Sequence, residues 1–156
     1  MNKGFTLLET IVTIAVVGTL SSIAAVSWSR FVESKQVGTI AEKAFIALRS
    51  TQSEANQQRL EKFIQFRQNE GQIEYSTYSK GALPQVWENI GEAKFHSEND
   101  FTQISFDFKG NVNFPDTIDE FPTLAFTDPN DRHVACVQIR TLLGAMSIEH
   151  DSDCTP

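Results

Sequence analysis

The stretch Lys3-Gly4-Phe5-Thr6-Leu7-Leu8-Glu9 puts one carboxylate at the head of an otherwise uncharged apolar run. Between Lys3 and Arg30, Glu9 is the only charged side chain. A charge inside a membrane segment costs about 2.5–3.5 kcal/mol on insertion scales, so such a residue marks function by default. As a helix, residues 5–26 would extend about 33 Å, matching the hydrocarbon layer of a bilayer. Lys3 before the run, with the body of the chain after it, predicts a cytoplasmic N-terminus and an external C-terminus. The competing reading is a cleaved export signal, with Ile23-Ala24-Ala25 supplying the small residues at the cut. Against it, the run exceeds the usual apolar region of roughly 7–15 residues and carries Glu9 within it. The run also passes into an amphipathic pattern without a turn signal. A buried helix of a soluble core has no need of so long an apolar run.

Lys-Gly, then Phe-Thr-Leu-Leu-Glu, then a long apolar helix, resembles the class III leader of type IV pilins and pseudopilins. The resemblance implies that a prepilin peptidase cuts after Gly4 and that the new terminal residue, Phe5, is N-methylated. It also makes Glu9 the assembly residue, which captures the Phe5 amine of a neighbouring subunit. That role is sound chemistry, because a carboxylate and an ammonium attract strongly in low dielectric while either alone is penalised. The bland alternative is a Glu9 that snorkels to the headgroups from the first helical turns. Gly18 also matches the family's anchor helix, where it would lend flexibility, since glycine weakens a helix by about 1 kcal/mol relative to alanine. Many family members carry a proline eight residues later; here that position is Val26. Ser21 and Ser22 are candidates to bend the helix by bonding back to its carbonyls.

Beyond Ser29 the helical pattern becomes two-faced. Val37, Ile40, Ala41, Ala44, Leu48, Thr51 and Ala55 recur at spacings of three and four, with charged residues mostly between them. One helix is therefore expected from about Thr6 to about Arg59. From Phe63 onward the signal turns to short strands. Phe63–Phe66 and Ile73–Tyr78 flank the turn residues Asn69-Glu70-Gly71 and predict a hairpin. Thr102–Phe108 alternates strictly, ends at Lys109-Gly110-Asn111 and returns through Val112–Phe114. Three further strands are expected at Thr123–Phe126, His133–Arg140 and Gly144–Glu149. The fold class that follows is α+β: a long N-terminal helix, membrane-spanning in its first half, packed on a mainly antiparallel sheet domain, as in pilins. The expected organisation is a leader at 1–4, a transmembrane half-helix at 5–27, an amphipathic half-helix at 28–60 and a β-rich domain at 61–156. Phe106–Val112 and Val137–Gly144 add a looser resemblance to the GspH/FimT group of minor pilins and pseudopilins. Any antiparallel meander shares some of that pattern.

A chain of 156 residues accommodates one domain plus an anchor. Cys136 and Cys154 fit neither a CxxC nor a zinc-ligand spacing. Outside the cytoplasm they can pair as a disulfide, worth about 3 kcal/mol in the chain-entropy model; otherwise they are two buried thiols. His96, His133 and His150 are dispersed, and no phosphate loop or nucleophile elbow appears, so neither enzyme, metal nor cofactor is expected. Asp128-Pro129-Asn130-Asp131 has oxygens for calcium but lacks the glycine and distant glutamate of an EF-hand loop, and a plain turn is favoured. Asp116, Asp119 and Glu120 read as a solvated acidic loop.

Some FimT-like minor pilins take up DNA through basic residues near the C-terminus. Here Glu149, Asp151 and Asp153 occupy that tail, and the net charge is −7, so nucleic acid is not the expected partner. Lys109, Arg132 and Arg140 remain as separate basic groups that folding could gather. The reading that results is a structural subunit of a type IV pilus or type II secretion pseudopilus. Its partners would be other pilin subunits, the prepilin peptidase and the inner membrane. The alternatives are a pilus-borne DNA receptor and a soluble exported binding module behind a conventional signal.

Overall fold

The computed structural model describes residues 6–96, 102–113 and 121–154. Gly4 and Phe5, Phe114, and the acidic residues Asp116, Asp119 and Glu120 lie outside that range. The chain divides into two compact units, Met1–Glu33 and Ser34–Pro156. Helix α1 runs over Leu7–Gln58, within one residue of the expected limits at each end. Its C-terminus shows why it stops. Arg59 adopts a left-handed conformation at φ 53°, and the Leu60 N–H turns back to the Ala55 carbonyl at 3.2 Å. This is a Schellman cap, with arginine where glycine is usual.

In the first unit the helix exposes its side chains on every face from Leu7 to Ala24. In the second unit the stripe Val37, Ile40, Ala41, Ala44, Leu48, Thr51 and Ala55 is buried in full. Its small side chains bring the helix close to the sheets. Phe66, Phe106 and Phe126, each fully buried, fill the space between.

Nine strands follow: β1 (Lys62–Asn69), β2 (Gln72–Ser79), β3 (Glu88–Glu92), β4 (Lys94–Phe95), β5 (Gln103–Phe106), β6 (Val112–Asn113), β7 (Thr123–Thr127), β8 (Val134–Ile139) and β9 (Met146–His150) among the described residues. Strands β1 and β2 form the expected hairpin, with Asn69 opposite Gln72 and Glu70-Gly71 as its loop. Both loop residues have positive φ, 50° and 81°, as a two-residue turn that follows the strand twist requires. The strand expected over Thr102–Phe108 shortens to β5. Asp107 leaves the ladder because its carboxylate accepts the N–H groups of Lys109 and Asn111, each at 2.8 Å, which folds the chain into a turn.

The sequence suggests one sheet; the fold has two. One is ordered β3-β2-β1-β5-β6 and the other β4-β7-β8-β9, and every pairing is antiparallel. Strands β3 and β4 were not expected, because Glu88, Asn89, Gly91, Glu92 and Lys94 mask any alternation. As edge strands they need little of it, and β3 buries only Ile90. The chain changes sheets at Ala93, whose N–H bonds the Gly71 carbonyl at 3.2 Å while Lys94 and Phe95 pair with Thr127 and Phe126.

Alternate residues of β8 face opposite ways. Ala135, Val137 and Ile139 enter the main core, while Cys136 packs with Ala125 and Cys154 in a second small cluster. Cys136 and Cys154 form a disulfide with their Cα atoms 5.7 Å apart. Gln138, on the same outer side, donates to the Asp153 carbonyl at 3.1 Å. The final turn, Asp151–Asp153, is thereby strapped back over β8. Replacing both cysteines by serine should lower stability by about 3 kcal/mol. Reductant should depress the melting temperature of the native protein and leave that of the double variant unmoved.

Candidate functional site

The first unit starts with a cap. The Glu9 N–H donates to Thr6 Oγ1 at 3.3 Å, and the Thr10 N–H reaches the Thr6 carbonyl at 3.2 Å. Thr6-Leu7-Leu8-Glu9 therefore has the spacing of a capping box, with the threonine half of it formed. The helix begins immediately after the glycine–phenylalanine pair. Glu9 falls in the first turn, where the positive end of the helix dipole favours a carboxylate. Its side chain points outward and is exposed. Among the described residues, no side chain pairs with that carboxylate.

The hydroxyls nearby are satisfied within the helix. Thr10 donates to the Thr6 carbonyl, Thr13 to that of Glu9, Thr19 to that of Val16 and Ser22 to that of Gly18. Of the two serines expected to bond back, Ser22 does so at 2.9 Å, and Ser21 makes no such bond among the described residues. Such bonds lower the cost of placing hydroxyls in hydrocarbon. Glu9 remains the one charge in an apolar stretch, Leu7–Ala24, that is long enough to cross a membrane. The helix passes through Gly18 unbroken, and a methyl group added there would touch nothing within 4 Å. Packing within the subunit does not require that glycine.

In the second unit the helix holds two loops with a single side chain. Gln52 Nε2 donates to the Gly110 carbonyl at 2.8 Å and to the Leu143 carbonyl at 3.1 Å. Its Oε1 accepts from Arg49 at 3.2 Å. Asn56, one turn on, donates to the Lys109 carbonyl at 3.1 Å. The Val112 N–H bonds the Leu142 carbonyl at 2.9 Å, joining the β5–β6 turn to the β8–β9 loop. Gly144 makes room for this clasp at φ 75°, and a Cβ there would lie 3.2 Å from the Gly110 carbonyl oxygen and also overlap Gln52. Sequence reading finds Gly110 as a turn former and places Gly144 at the head of the last strand, whereas the structure starts β9 at Met146 and leaves Gly144 in the loop before it; nothing marks Gln52, which looks like any polar helix residue. Thr6 has a sequence signal of its own, the capping-box spacing to Glu9.

Each of the three basic groups has a contact of its own. Arg140 reaches Glu149 at 2.9 Å and Ser147 at 3.0 Å, and hydrogen bonds to the Glu149 carboxylate from Arg140 and then from Ser147 hold it below its usual range. Arg132 lies 3.6 Å from Asp128. Lys109 sits over the Phe108 ring.

Asp128 organises the turn over residues 128–133. At 1% exposure, its Oδ1 accepts the N–H groups of Arg132 at 2.6 Å and His133 at 3.1 Å. Burial alone would raise its pKa. The backbone donors of His133 and Arg132, with the Arg132 charge, outweigh burial and hold the carboxyl below the ordinary range. A depressed folded value means stability that is present above an unfolded pKa of about 3.9 and lost as pH falls through the folded one. Asp128→Asn should cost about 2 kcal/mol at neutral pH. The gap to the native protein should narrow below about pH 4, which denaturant titrations at several pH values would check.

Residues 1–25 match the prokaryotic N-terminal methylation motif. No curated protein sequence matches the chain. Among solved structures, the chain is similar to a crystal structure of the type IV minor pilin FimU from Pseudomonas aeruginosa, strain PAO1. The TM-score is 0.53 at 18% identity, over 80% of this chain and 99% of that one. A second crystal form of FimU gives a TM-score of 0.51, again at 18% identity, covering 74% of this chain and 98% of that one. The protein thus carries a prokaryotic N-terminal methylation motif at the head of a fold similar to that of the type IV minor pilin FimU.

Proposed function

We propose that the protein is a structural minor pilin or pseudopilin of the GspH/FimT type. It is made as a precursor, anchored in the inner membrane by the first half of α1, with its sheet domain on the periplasmic side. Prepilin peptidase cuts it between Gly4 and Phe5, and Phe5 is N-methylated. The subunit then enters a type IV pilus or type II secretion pseudopilus, with Glu9 accepting the Phe5 amine of a neighbour and Gly18 lending the helix local flexibility. The observation that carries this reading is Glu9 itself, an exposed carboxylate in the first turn of an apolar helix whose start lies within the methylation motif of residues 1–25. In hydrocarbon that charge is costly until an ammonium meets it, so the helix is better accommodated in an assembly than alone.

The deciding experiment is mass spectrometry of the N-terminus on protein recovered from membranes. A methylated Phe5 is the expected result. A chain starting between Ala25 and Ser27 would instead mean a conventional export signal, removing Glu9 and the assembly role with it. Gly4→Leu should accumulate as uncut precursor in the same preparation, visible as a mass excess of the whole leader.

A further inference from the structure

We infer that Trp28 and Phe31 are an interfacial anchor that docks the helix against the outer headgroup layer of a phospholipid bilayer and sets the depth of Glu9. This rests on the membrane-anchored reading above. Three positions apart on the helix, the two rings share one face and contact each other with centroids 6.1 Å apart. Trp28 is 69% exposed and Phe31 55%, so neither serves the core of its own unit. Two large aromatic rings at the surface need another environment. The apolar run ends just before them, at Val26; Arg30 lies between the two in sequence, and Glu33 and Lys35 follow within a few positions. An apolar body with a polar indole N–H is suited to that boundary, which is why tryptophan concentrates at the level of the headgroups.

Length argues for the same occupant. From the Thr6 cap to Trp28 the helix rises about 33 Å, slightly more than a hydrocarbon layer of roughly 30 Å. With the rings at the outer boundary, Glu9 lies about 28 Å away along the axis, just inside the inner boundary. The anchor would matter most after processing. Cleavage after Gly4 removes Lys3 and puts the Phe5 ammonium at the inner end, so the aromatic pair, with Arg30 between its members in sequence, holds the outer end of the mature helix. Glu9 would then be held where an arriving amine can still reach it from the headgroup region.

Trp28 can be read directly. The chain has two tryptophans, and Trp87→Phe leaves Trp28 as the sole indole while keeping an aromatic ring beside Arg67. The mature full-length variant is reconstituted into phosphatidylcholine vesicles brominated at carbons 6 and 7 or at carbons 11 and 12 (on the order of mid-chain depth for the latter). Fluorescence quenching by the shallow bromines should exceed that by the deep ones at least about twofold. Phe31→Ser on this background should bring the two closer to equality; an unchanged ratio would remove Phe31 from the anchor. Equal or deeper quenching, or none at all in protein that resists alkaline extraction, would overturn the anchor and leave the membrane reading standing. Release of the protein by alkaline extraction would overturn both.

Discussion

Glu9→Ala is expected to remain in the membrane and to be lost from filaments. The helix should survive the change, because the Thr6 cap uses the backbone N–H of Glu9 and not its side chain. Alanine also has the highest helix propensity. On the proposed function, what disappears is the acceptor for the neighbour's N-terminal ammonium. Removing one partner of a buried ion pair costs about 3–5 kcal/mol, since the other charge is left without compensation. A loss of about 3 kcal/mol corresponds to more than 100-fold in an association constant. Immunoblots of sheared filaments against membranes should show the variant almost wholly in the membrane fraction. Glu9→Gln, which keeps the shape and loses the charge, should behave in the same way. Incorporation at the native level by either variant would mean that Glu9 only snorkels.

Gly144→Ala is the corresponding test of the globular unit. Its effect should be large for so small a change. The left-handed backbone at φ 75° disfavours a side chain, and the new methyl would occupy the space of the Gln52 amide. Gln52 can swing away, but only by releasing the carbonyls of Gly110 and Leu143. Strain plus two lost hydrogen bonds comes to about 3–4 kcal/mol, or a fall in melting temperature of roughly 10–15 °C. Gln52→Leu alone should cost less, and combining it with Gly144→Ala should add little, because both act on one clasp. A melting temperature that moves by only about a degree would show that the clasp holds little.

These two sites differ in how far the sequence discloses them. Glu9 is visible because a charge within an apolar run breaks a pattern, and because Lys3-Gly4 precedes it. The buried stripe of α1 is equally plain, since periodicity at 3.6 residues follows directly from packing one helix face. The β1–β2 hairpin is marked by its glycine-containing turn. The division into two sheets leaves no comparable mark. It depends on β3 and β4, edge strands with one exposed face and little apolar content, and on a crossing at Ala93 that reads as ordinary chain. Gln52 is harder still. Its importance comes from two loops about 60 and 90 positions away in sequence, a long-range coincidence that no local pattern encodes.

Strand β9 lies at the edge of its sheet near the end of the chain, and a strand so placed is the seam along which a pulled protein unzips. Its pairing partner is β8, and a free terminus would let the ladder open one rung at a time. Here neither end of the seam is loose. Beyond His150 the tail is stitched to Cys136 by the disulfide and to Gln138 through the Asp153 carbonyl. Ahead of Met146 the incoming loop is held at Leu143 by Gln52. Peeling β9 from either end would therefore first have to break one of these tethers.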